Sequence, residues 1–109
     1  MRKIISVGIV FVVCAMSLFA QRWDYAAEQK VRKIAEQKWK GDYEMQAYTV
    51  RTQKEACLEL ERLQCPSQMS YSTFNEIKKA ATEKWPDDYE MQLYTIKKQI
   101  SGWLELHKR

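Results

Sequence analysis

The side chains able to do chemistry in this sequence are few, and most of them come twice. Gln46 and Gln53 lie seven residues apart, and Gln92 and Gln99 repeat that spacing beside Tyr48 and Tyr94. On a helix, seven residues are two turns, so each glutamine pair shares one side. A glutamine amide both donates and accepts hydrogen bonds. The chemistry on offer is therefore recognition, either across a helix pair or toward a partner. Gln46, Tyr48, Gln53, Gln92, Tyr94 and Gln99 are the candidate contact residues.

Groups for catalysis are sparse. His107 is the single histidine and lies near the chain end, four residues after Trp103. Without an internal histidine, acid–base work would fall to carboxylates. Asp87 and Asp88 are adjacent in sequence, not a facing pair. There is no nucleophile elbow, no phosphate-cradling glycine loop and no metal-ligand spacing. These features point away from an enzyme, and no cofactor or metal is expected.

Cys57 and Cys65 are the cysteines of the main body. In an oxidising compartment they are candidates for a disulfide. On one straight helix, eight residues would hold them about 12 Å apart, too far to bridge. A bond requires the helix to end soon after Cys57, and Pro66 marks a stop nearby. Two free thiols, or a bridge to another chain, are the alternatives. Two cysteines and a terminal histidine do not make a four-ligand zinc site.

The elements that position these residues follow from an internal repeat at an offset of 46. Residues 38–50 and 84–96 share nine of thirteen positions, in the pattern Lys-Trp-x-x-Asp-Tyr-Glu-Met-Gln-x-Tyr-Thr. The match extends back to Tyr25/Tyr71 and forward to Leu60/Leu106. It indicates duplication of one supersecondary unit, with repeat 1 over about residues 24–63 and repeat 2 over about 70–107.

Each unit reads as two helices. In repeat 2, Thr73 and Glu76 have capping-box spacing, and so do Asp87 and Glu90, with Pro86 just outside the second start. Tyr89, Leu93, Ile96, Ile100 and Trp103 then recur at steps of 4, 3, 4 and 3. That is one apolar stripe along a helix. The counterpart stripe in repeat 1, Tyr43, Ala47, Val50, Lys54 and Cys57, is poorer, and Gly41 stands at the cap. No alternation of strand type competes. The expected fold is all-α: two tandem helical hairpins forming a small four-helix domain over residues 21–109. Neither hairpin is large enough to bury its own stripe, so the copies should pack together by a pseudo-twofold or by stacking.

Ahead of this domain lies a different composition. Arg2 and Lys3 precede an apolar run over residues 4–20, and the sequence turns polar at Gln21. This is the layout of a signal peptide over residues 1–20. Ala20 is a suitable small residue at the cut, while Leu18 is large for its place. A retained N-terminal anchor is the alternative, the run being at the short limit for a span. A lipid-modified Cys14 fits less well, because apolar residues continue after it. Loss of Arg2 and Lys3 lowers the formal charge from +4 to +2. The remaining charges alternate in sign, which does not make a nucleic-acid footprint or a cationic membrane helix.

The expected protein is thus exported, secreted or periplasmic, with no stable membrane span after cleavage. It would act as a non-catalytic interaction module for a protein or cell-envelope partner. The alternative is a structural, self-assembling homo-oligomer built on the stripe from Tyr89 to Trp103.

Overall fold

The computed structural model describes residues 22–108. The signal-peptide run, the cut at Ala20 and the reading of Cys14 fall outside the described residues. Four helices follow one another: α1 Tyr25–Lys38, α2 Tyr43–Arg62, α3 Tyr71–Lys84 and α4 Tyr89–His107. Among the described residues there is no strand. None of their helices is long and apolar enough to cross a membrane.

Each helix begins at a side-chain cap. Asp24, Asp42, Ser70 and Asp88 accept hydrogen bonds from the backbone N–H groups of Ala27, Met45, Thr73 and Met91. Each such cap satisfies a donor that the helix leaves free and contributes about 1 kcal/mol. These starts correct the sequence expectation at three helices. Helix α3 is capped by Ser70, three residues before Thr73, and the Thr73 hydroxyl partners Ser70 rather than capping. Helix α4 is capped by Asp88, not Asp87, and α2 by Asp42, not by the Gly41 position. Gly41 and Asp87 instead take left-handed backbone angles, with φ of +79° and +65°. Glycine adopts that geometry freely, and aspartate is among the few residues that tolerate it.

Packing follows the chain. Helix α1 lies on α2, α3 lies on α4, and the two hairpins meet through α2 and α4. The core holds Val31, Ala56, Cys57, Leu60, Ala81, Tyr89 and Ile96, with Trp23, Val50, Ile77, Leu93 and Ile100 packed against it. The stripe expected on α4 is present: Tyr89 and Ile96 are buried and Leu93, Ile100 and Trp103 half-buried. In α2 the buried face is rotated. It comprises Gln53, Ala56, Cys57 and Leu60, while Tyr43, Ala47 and Lys54 are exposed. Only the C-terminal half of α2 is covered by repeat 2, and its N-terminal half is left open.

Candidate functional site

The duplicated signature builds two helix corners with the same bonds. Trp39 and Trp85 end α1 and α3, their N–H groups donating to Ala35 O and Ala81 O. The N–H of Asp42 or Asp88 returns to the tryptophan carbonyl. That same carbonyl accepts from the side-chain amide of Gln46 at 2.9 Å or Gln92 at 2.8 Å. The alanine one turn before the corner is buried in both copies, which lets the helices approach closely. Both indole N–H groups are buried without a hydrogen-bond partner. Gln46 and Gln92 therefore hold their own corners.

Gln53 does something different. Its carbonyl oxygen accepts the backbone N–H of Tyr89 at 2.7 Å. Its amide donates to the Asp88 carboxylate at 3.0 Å and reaches the Glu90 carboxylate at 3.4 Å. One buried side chain of repeat 1 thus satisfies free groups at the start of α4. Glu90 also receives the Thr52 hydroxyl instead of capping its own helix. Ion pairs Lys30–Asp87 and Lys97–Glu59 flank the junction on the solvent side.

Tyr89 is the apolar member of this junction. It sits in the α1–α2 groove with its ring edge against Trp23, centroids 6.1 Å apart. Trp23 donates its indole N–H to Glu28 and its backbone N–H to Glu61. The hydrogen bond from Arg32 holds the Glu28 carboxyl below its ordinary range. Burial pushes the Cys57 thiol up to about 11, with Glu61 and Asp24 adding to the rise. Burial also raises Tyr89, aided by Cys57, Asp87 and Asp24. Neither group is a reactive nucleophile at neutral pH.

The junction joins unlike faces of the two copies, so the repeats are stacked and not related by a twofold. Each face consequently has an open counterpart at the opposite end of the molecule. Gln99, which aligns with Gln53, is exposed. Leu106, which aligns with buried Leu60, is 83% exposed. Tyr43, which aligns with Tyr89, is 78% exposed against 9%. Between α3 and α4 lies a groove of about 500 Å³, lined by Ile77, Ala80, Gln99, Gly102, Trp103 and Leu106 among others. It occupies the place in repeat 2 that the Tyr89 groove occupies in repeat 1.

The six candidate contact residues therefore do not form one strip. Gln46, Gln92 and Gln53 bond inward, and of these four glutamines Gln99 faces solvent. Tyr48 and Tyr94 are about half exposed in both copies, beside Arg51 and Lys98 respectively. The sequence did not mark Trp23 or Thr52, and it offered Asp88 and Glu90 without a role in contact between the repeats. The capping aspartate was visible as a shared letter of the repeat, but its link to Gln53 joins different parts of the two copies.

Cys57 and Cys65 are not bonded to each other. The helix does not stop after Cys57 but runs on to Arg62, which leaves no room for the chain to fold back. The Cys65 thiol turns toward the carbonyls of Met69 and Ser70 in the linker. His107 stacks on Trp103 at 3.8 Å and bonds the Trp103 carbonyl, closing the end of α4. Among the described residues no cluster of metal-ligating side chains occurs. Comparison with family models, curated proteins and solved structures finds no match to this chain.

Proposed function

We propose that this chain is a non-catalytic interaction module that binds a protein partner through the α3–α4 groove of repeat 2. The observation that carries this reading is the state of that groove. Its equivalent in repeat 1 is filled by Tyr89 and sealed by Gln53, whereas here Leu106 and Gln99 stand exposed beside half-buried Trp103. A contiguous apolar surface rimmed by polar groups is the usual form of a protein contact. Titratable groups at both ends of α4 are engaged in structure. At the junction Asp88 caps α4 and Asp87 pairs with Lys30, and at the far end His107 bonds the Trp103 carbonyl. Export is part of the same proposal and rests on the layout of residues 1–20. The partner is then an extracellular or envelope protein.

The test is capture from envelope and culture-medium fractions, with the chain beside a Leu106→Glu variant. Circular dichroism first establishes that the variant folds, as expected for a residue this exposed. A protein retained by the native chain and lost by the variant supports the groove as the binding face. One retained equally by both places the site elsewhere, on the surfaces around Tyr48 and Tyr94.

A further inference from the structure

We propose that the occupant of the open groove is a second copy of this chain, joined head to tail. Tyr43 of one copy enters the α3–α4 groove of the next, as Tyr89 enters the α1–α2 groove within the chain. The inference rests on the reading of that groove as a binding face and adds the identity of what it binds.

Four observations lead to it. First, stacked repeats end in polar capping units when the stack is complete. Among the described residues, the outer faces of this stack present half-buried Trp103 and exposed Leu106 on one side and exposed Tyr43 on the other. Second, the polar pattern of the internal junction recurs at the ends. Gln99 replaces Gln53, and Asp42, Tyr43 N–H and Glu44 replace Asp88, Tyr89 N–H and Glu90. The Tyr43 N–H lies at a helix start and has the same need for an acceptor.

Third, the charges agree across such a contact. The internal pair Glu59–Lys97 becomes Glu105–Arg51, again of opposite sign. Thr52 opposite Glu90 becomes Lys98 opposite Glu44, so a hydroxyl contact turns into an ion pair. The pair without a counterpart is Lys30–Asp87, whose places are held by Glu76 and Gly41. Fourth, one change of volume offsets another. The counterparts of Ala56, Cys57 and Leu60 of α2 are Gly102, Trp103 and Leu106 of α4, so the large gain is from Cys57 to Trp103. The counterparts of Leu93 and Ile96 of α4 are the smaller Ala47 and Val50 of α2. Contact between unlike faces does not close on itself as a twofold dimer does, so it propagates into chains or rings.

Sedimentation equilibrium of the chain, expressed from its full sequence and purified as it accumulates, tests this. The average mass should rise steadily between about 1 µM and about 1 mM, past the dimer. Tyr43→Ala should weaken association by about tenfold or more, since the tyrosine is the buried anchor. Arg51→Glu should weaken it about threefold, and adding Glu105→Arg in the same chain should restore it. That rescue requires opposite ends to meet. A constant monomer mass over this range overturns the proposal, as does association indifferent to Tyr43→Ala. A monomer that still captures a foreign protein through Leu106 would refute self-stacking alone and leave the binding-module reading standing. A monomer that captures nothing through it would refute both.

Discussion

The two repeats share nine of thirteen residues across their corners yet bury them differently. Local structure is the same in both: an aspartate cap, a left-handed residue before it, and a glutamine on the tryptophan carbonyl. Burial is not. Tyr89 is 9% exposed and Tyr43 is 78%, although their flanking sequences agree. Gln53 is buried and Gln99 exposed for the same reason. The lesson is that corner residues serve their own hairpin, while junction residues depend on a neighbour that only one copy has.

The largest expected effect breaks the comparison at the tyrosines. Tyr89→Ala removes the anchor of the internal junction and should destabilise the chain by about 3 kcal/mol. Tyr43→Ala should change stability by less than about 0.5 kcal/mol in dilute solution. Urea denaturation of both variants reads the difference.

The next effect is a pH dependence that belongs to the junction alone. An unfolded thiol ionises near about 8.5, whereas burial holds folded Cys57 at about 11. The unfolded chain releases its proton first, so stability is full below the lower value and falls as pH rises toward the upper one. The loss is on the order of 2 kcal/mol across that window, with Tyr89 acting in the same direction. Cys57→Ala should flatten the decline measured by denaturation at about pH 8 and about pH 10.5. Trp103 holds the equivalent place in repeat 2 and does not titrate.

A smaller effect sharpens the contrast at the caps. Asp42→Ala should cost about 1 kcal/mol, the value of an N-cap. Asp88→Ala should cost about 2 kcal/mol, because it also leaves the buried Gln53 amide short of an acceptor. Thermal melts of the pair should therefore differ, despite identical local geometry.

Much of the fold was legible in the sequence. The offset of 46 identified the duplication, and the stripe from Tyr89 to Ile100 marked α4. The misread parts had physical causes. Ser70 caps α3 without a glutamate three residues on, so Thr73 and Glu76 carried the more familiar pattern. Asp87 and Asp88 are adjacent, and composition does not say which one takes the left-handed backbone. The stripe drawn through Tyr43 and Lys54 assumed that both copies bury the same face. The disulfide failed because α2 outlasts Cys57 by five residues. At the candidate site, Gln99 is exposed, whereas Gln46, Gln53 and Gln92 bond within the chain. Their partners were hidden, because Gln46 and Gln92 bond within a corner and Gln53 bonds between copies.

The central claim is that one residue type at equivalent positions has two roles, set by what stands next to it. Paired urea denaturation of Gln53→Ala and Gln99→Ala at about 1 µM protein tests it most directly. Gln53→Ala should lose about 2 kcal/mol, because the Tyr89 N–H is left buried and unpaired. Gln99→Ala should unfold at the same urea concentration as the native chain. Equal losses from the two variants, or no loss from Gln53→Ala, would contradict the account.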